Sequence, residues 1–254
     1  MSLTIKICGL STEETIAAAV EAGAGLVGFV FYPPSPRAVT PDRAAGLARG
    51  VPPSVSKVGL FVDPDDALLD RVLTLTGLDI IQLHGLEPPE RVAQIRERFR
   101  RPVMKVIRVG TAADVAIADR YLEVADRLLF DARPPKRAGA LPGGNGEPFD
   151  WSLLAGRSWP LPWMLSGGLT IENVAEAVRA TGAPAIDLSS GVETSPGIKD
   201  VGLIKAFIAT ATQLGWWPSS IISRSAWPIS GRPAGSTTRY WRRSGRGGCS
   251  RSGT

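Results

Sequence analysis

IKICGLSTEETIAAAVEAGAGLVGFVF, residues 5–31, holds two apolar runs of strand length, 5–8 and 26–31, around a segment of helical periodicity. The runs are continuous rather than alternating, the pattern of strands buried on both faces of a parallel sheet. Ser11 with Glu14 three residues on fits a capping box at the start of the intervening helix. The stretch therefore predicts strand, helix, strand. Outward from it the pattern repeats: apolar runs recur at 58–62, 80–83, 103–109, 128–131, 164–166 and 185–188, most separated by helical patterning. Thr40 before Pro41 fits an N-cap followed by the first helical position. Asp63 precedes an Ala67, Leu68, Val72, Leu75 face, and Thr170 opens a helix over 171–178. Eight successive parallel βα units suit a closed α/β barrel, a single (βα)8 TIM barrel, with a doubly wound open sheet as the alternative.

One interval breaks the pattern. Residues 132–146, after the sixth strand, are too rich in Gly and Pro for a helix and predict a long loop on the C-terminal face of the barrel, where lids and binding loops sit. The chain has 254 residues, 44% hydrophobic and 21% charged, enough for one sizeable core. The N-terminus lacks the apolar core of a secretory signal and no run has the length of a membrane span, so a cytoplasmic protein without a membrane partner is expected. Cys8 and Cys249 stand near opposite ends, which makes Cys8 a free thiol in a reducing compartment.

The net charge of +5 is unevenly placed. From Thr210 onward there is no acid, and seven arginines (224, 232, 239, 242, 243, 246 and 251) give +7, so +5 less +7 leaves the rest at −2. Residues 1–214 are therefore expected to form the barrel, and 215–254 a basic, disordered extension holding four of the seven tryptophans. Such a tail is either non-native, as from a frame-shifted terminus, or a nucleic-acid-binding segment; the barrel itself is expected to bind no nucleic acid.

Alternation along the first strand puts Lys6 and Cys8 inward, with Ile5 and Ile7 toward the helices. A thiol at a barrel mouth becomes a proton acceptor if nearby positive charge, such as Lys6, lowers its pKa; the plainer alternative is a small apolar core residue. Lys6 is also placed to neutralise a core carboxylate such as Asp187. Asp131 ends the sixth strand on the same face, either as a functional carboxyl or as a cap on local amides. His84, the only histidine, closes the fourth strand. Arg37 lies on a proline-stiffened loop, where its planar fork suits a carboxylate or phosphate. Gly167-Gly168 after the seventh strand and Ser190-Gly191 after the eighth occupy the places where barrels bind phosphate.

Taken in order, Lys6-Ile7-Cys8-Gly9-Leu10, Ser35-Pro36-Arg37, Gln82-Leu83-His84-Gly85, Asp131, Gly143-Gly144-Asn145-Gly146, Ser166-Gly167-Gly168-Leu169 and Asp187 to Glu193 with Gly197-Ile198-Lys199-Asp200 resemble the phosphoribosylanthranilate isomerase family of tryptophan biosynthesis. The resemblance runs from about Thr4 to Leu214. It implies an Amadori rearrangement without metal or organic cofactor, Cys8 as general base and Asp131 as general acid. The thiol pKa should then be driven down and the carboxyl pKa up. It further implies Arg37 on the anthranilate carboxylate, Gly167, Gly168, Ser190 and Gly191 on the phosphate, and Asp187 and His84 near the ribose hydroxyls. The expected partner is the small-molecule substrate, and the expected assembly a monomer or homodimer. Asn145 stands where Thr is frequent, an exchange expected to preserve function. The neighbouring indole-3-glycerol-phosphate synthase and tryptophan synthase α families use other catalytic sets, and a first strand ending in Cys8 favours the isomerase. A non-catalytic barrel whose tail binds nucleic acid is the alternative from another class.

Overall fold

The computed structural model describes residues 3–136 and 141–214. Eight parallel strands close in chain order into a barrel: β1 (Thr4–Cys8), β2 (Leu26–Val30), β3 (Ser56–Phe61), β4 (Ile80–Leu83), β5 (Val103–Val109), β6 (Arg127–Ala132), β7 (Trp163–Leu165) and β8 (Ala185–Leu188). All eight expected strands are present, and the open-sheet alternative is excluded because β8 pairs with β1, Lys6 opposite Asp187. The tail at 215–254, with its expected disorder and nucleic-acid alternative, lies outside the described residues. No helix among the described residues is long and apolar enough to cross a membrane.

Among the described residues seven α-helices follow strands: α1 (Glu13–Ala22), α2 (Pro41–Ala48), α3 (Asp66–Thr76), α4 (Pro89–Phe99), α5 (Ala112–Ala116), α6 (Val174–Thr181) and α7 (Val201–Gln213). Between β6 and β7 the described residues make no α-helix, only a 3-10 turn at Trp151–Leu154, as the Gly/Pro-rich interval implied. Thr40 caps α2 with Pro41 at its start. Three other starts differ from expectation. The α1 cap is Thr12, whose hydroxyl accepts from the Thr15 amide. Asp65, not Asp63, caps α3, and that helix buries Leu69, Val72 and Thr76 while Leu75 is 43% exposed. Asn173 precedes α6, its side chain accepting from the Thr170 amide.

The core has two layers. Leu26, Val58, Ile80, Met104, Val106, Leu129, Met164 and Ala185 fill the barrel interior, while Ile5, Ile7, Val27, Phe29 and Phe61 join the helices in the outer layer. Because strand side chains alternate, the inward rows continue upward from these apolar residues. On β1 the row is Lys6 then Cys8; on β6 it is Leu129 then Asp131; on β8 it is Ala185 then Asp187. An antiparallel ribbon, β9 (Glu193–Ser195) and β10 (Ile198–Lys199), follows β8 before α7.

Candidate active site

Cys8 and Lys6 share the inward row of β1, both buried. The Lys6 ammonium donates to Asp187 Oδ1 at 2.9 Å. Burial alone would lower the lysine pKa, but the Asp187 carboxylate and Cys8 outweigh it, and the group is held above its ordinary value. Burial raises Asp187 against the pull of Lys6. The neutralising role expected for Lys6 is thus present. Its charge also lowers the thiol, as expected, but the net shift is the other way: burial raises Cys8, and Lys6 and Lys199 offset only part of that rise. The β2 partner of Cys8 is Gly28, where a Cβ would stand 2.9 Å from the sulfur and 3.2 Å from Lys6 Nζ. A glycine there leaves the room that thiol and ammonium occupy.

Asp131, buried at the end of β6, accepts from its neighbour's Ala132 amide at 3.0 Å, so the amide-capping role read from sequence is also real. Its other oxygen lies 3.1 Å from His84 Nε2, at ion-pair distance but off the line of a hydrogen bond. His84 Nδ1 faces the Gln82 amide nitrogen at 3.4 Å. Arg108 holds the His84 carbonyl at 2.6 Å, and the buried Lys105 binds the Gly85 carbonyl at 2.9 Å and Glu87 at 2.5 Å. The strand end carrying His84 is therefore pinned by two cations of β5.

Residues 141–146, the described end of the long loop after β6, fold over this mouth. A Cβ at Gly143 would collide with His84 Nε2 and stand 2.7 Å from Asp131 Oδ2; one at Gly144 would stand 2.6 Å from Arg37 Nη1. Asn145 staples the turn by accepting from the Leu141 amide at 3.2 Å and donating to its carbonyl at 2.9 Å.

Arg37 is buried rather than solvated. Its Nε and Nη2 donate to the two oxygens of Glu193 at 2.7 and 2.8 Å, and Nη2 also donates to the Gly144 carbonyl at 3.1 Å. Lys199 donates to Glu193 at 2.5 Å and to the Ser189 carbonyl and hydroxyl, each at 2.9 Å. Burial raises Glu193, but the bonds from Arg37 and Lys199 outweigh it and hold the carboxyl below its usual range. Both residues lie in motifs quoted above, yet neither was given a role. The turn signal Pro196-Gly197 between them could have revealed the ribbon.

Gly167 and Gly168 have φ of 93° and 59°, and a Cβ on Gly168 would strike the Pro148 nitrogen. Only glycine fits this bared backbone. One pocket at the C-terminal strand ends is lined by Cys8, Arg37, His84, Asp131, Gly167, Gly168, Asp187 and Ser190. Gly191 is the one expected site residue not on its wall; its Cα faces the Leu169 carbonyl, which a side chain would strike.

A closed parallel barrel whose strand ends deliver a thiol, a carboxyl and a glycine-lined wall to one mouth is a (βα)8-barrel enzyme with its pocket on the C-terminal face. The family model described as N-(5'phosphoribosyl)anthranilate (PRA) isomerase matches residues 5–210. The chain belongs to the N-(5'-phosphoribosyl)anthranilate isomerase family. It is similar to that isomerase from Paramagnetospirillum magneticum, 62% identical over 211 residues, 83% of this chain and 98% of the relative. Among solved structures, the monomers generated from the dimeric isomerase of Thermotoga maritima match at 36% identity and TM-score 0.72, over 83% of this chain and 99% of that one. The isomerase in complex with reduced 1-(o-carboxyphenylamino)-1-deoxyribulose 5-phosphate matches at 37% identity and TM-score 0.72, over the same shares.

Proposed function

We propose that this chain isomerises N-(5'-phosphoribosyl)anthranilate to 1-(2-carboxyphenylamino)-1-deoxyribulose 5-phosphate in tryptophan biosynthesis, with Cys8 as general base and Asp131 as general acid. The observation that carries the assignment is that Cys8 and Asp131 each end an inward strand row and line one pocket with Arg37 and the Gly167-Gly168 wall. The carboxyl protonates the furanose ring oxygen, and the C1'–O bond breaks to leave a C1'–nitrogen iminium. The thiolate then takes the C2' proton, giving an enolamine whose tautomerisation places the ketone at C2'. Substrate and product are isomers, so no external oxidant or reductant is consumed.

The raised thiol fits this order of events. Burial favours the protonated thiol, so the base is the thiolate formed once that proton is lost to solvent, and the iminium formed by the acid step adds positive charge to that of Lys6 and Lys199 in stabilising it. Arg37 takes the anthranilate carboxylate, and the backbone at Gly167, Gly168 and Ser190 on the pocket wall takes the phosphate, with Gly191 behind it. Asp187, fixed by Lys6, and His84, fixed by Arg108, face the ribose hydroxyls. The catalytic unit is residues 1–214, working in the cytoplasm as a monomer or homodimer.

Mixing the purified chain with N-(5'-phosphoribosyl)anthranilate in the presence of a chelator tests the activity. The fluorescence of the substrate should fall while an isomer of identical mass accumulates; unchanged fluorescence, or release of free anthranilate alone, would remove the proposal.

A further inference from the structure

The edge of Arg37 that binds a carboxylate side by side is already filled by one from its own chain. Nε and Nη2 hold the two oxygens of Glu193, and both side chains are almost wholly buried. Glu193 is itself fixed from behind by Lys199, whose remaining bonds go to Ser189. Two cations thus enclose one anion at the rim of the mouth, an excess of one positive charge opposite the single carboxylate of the substrate. The ribbon that carries Glu193 and Lys199 is fitted to the Arg37 loop at a second point: Gly197, with φ of 87°, lies so close to Pro36 that a Cβ would stand 2.5 Å from its carbonyl oxygen. The β9–β10 ribbon therefore meets the Arg37 loop through backbone at its turn and through charge at its base.

We propose that Glu193 is a positioning residue for substrate recognition: by occupying the inner edge of the Arg37 fork it fixes the guanidinium plane and leaves its outer corner for the substrate carboxylate. The proposal rests on Arg37 being the carboxylate-binding group. Glu193 touches no reacting atom in this role, so its removal acts on binding and not on proton transfer. In Glu193→Gln an amide N–H faces a guanidinium N–H on one of the two bonds, and the fork turns from its plane.

Two ligands separate the possibilities: the reduced carboxyphenylamino-deoxyribulose 5-phosphate and its phenylamino counterpart without the carboxylate, titrated by calorimetry against wild type, Glu193→Gln, Arg37→Ala and the double variant. Glu193→Gln should lose about tenfold in affinity for the carboxylated ligand, from one charge-assisted hydrogen bond. It should bind the phenylamino ligand as wild type does, and it should raise KM with kcat held within about twofold. In the Arg37→Ala background Glu193→Gln should change neither affinity. Equal or tighter binding of the carboxylated ligand by Glu193→Gln overturns the proposal. So does parallel loss of both ligands, which would mark a general structural role. A wild type that does not distinguish the two ligands would instead refute Arg37 as the carboxylate site.

Discussion

Lys6→Met removes the cation at the bottom of the mouth and leaves its partner in place. Lys6 is fully buried and the Asp187 carboxylate, 6% exposed, stands 2.9 Å from its ammonium. Methionine fills most of the lysine's volume, so the change isolates the charge. Breaking a buried pair from one side costs about 3–5 kcal/mol, because the remaining charge is neither solvated nor paired. That is a large part of the roughly 5–15 kcal/mol by which a domain is stable. The loss should also depend on pH in a determined direction. Burial already raises the folded-state pKa of Asp187 above its unfolded value near about 3.9, so the native state binds the proton more tightly. Stability then falls as pH rises from the unfolded value to the folded one, by about 1.4 kcal/mol per unit. Without Lys6 that window extends upward: the variant should be close to wild type near pH 4 and should fall away toward neutrality. Urea unfolding of wild type, Lys6→Met and Lys6→Met/Asp187→Leu at several pH values measures this. The double variant should recover most of the loss, since an apolar pair replaces the ionic one. A Lys6→Met loss below about 1 kcal/mol at pH 7, a loss independent of pH, or a double variant no better than the single would refute the argument.

Three further outcomes follow from the same geometry. In a Cys249→Ser background, the thiolate absorbance of Cys8 should reach half its height above the ordinary thiol value of about 8.5, because burial disfavours the charged form; a midpoint below about 8 would contradict the buried-thiol account. Gly143→Ala, whose Cβ would meet His84 and Asp131, should push the loop off the mouth and lower kcat/KM at least tenfold, measured by steady-state kinetics, with Tm little changed because the loop is remote from the core. A chain stopped after Leu214 should keep both its Tm and its turnover; loss of either would assign the basic tail a role in the fold or the reaction.

The strands were legible because a strand buried on both faces has no polar row to interrupt it, as in Leu26-Val27-Gly28-Phe29-Val30. Barrel closure then put Cys8, His84, Asp131 and Asp187 on inward rows from parity alone. Helix faces were less legible. Moving the α3 cap from Asp63 to Asp65 and placing Thr76 inward, its hydroxyl satisfied by the Val72 carbonyl, turned Leu75 outward. A polar residue on the buried stripe hides the stripe from a hydrophobicity pattern.

Two parts of the site lay beyond sequence. The protonation of Cys8 is a balance of burial against two lysines, and sequence shows the lysines without the burial. The partner of Arg37 stands 156 residues away on a short ribbon of charged and turn residues, so the fork looked free in a loop and is held in the fold. The placement of Gly167-Gly168 followed from barrel position, whereas the withdrawal of Gly191 from the pocket wall depended on its packing against Leu169.

The central claim is that one thiol and one carboxyl divide the proton transfers. It is tested most directly by the kcat of Cys8→Ser and Asp131→Asn, each compared with its own affinity for the reduced product analogue. Each variant should lose about 10²–10⁴-fold in kcat while binding the analogue within a few-fold of wild type. A Cys8→Ser or Asp131→Asn enzyme turning over within tenfold of wild type would contradict the account.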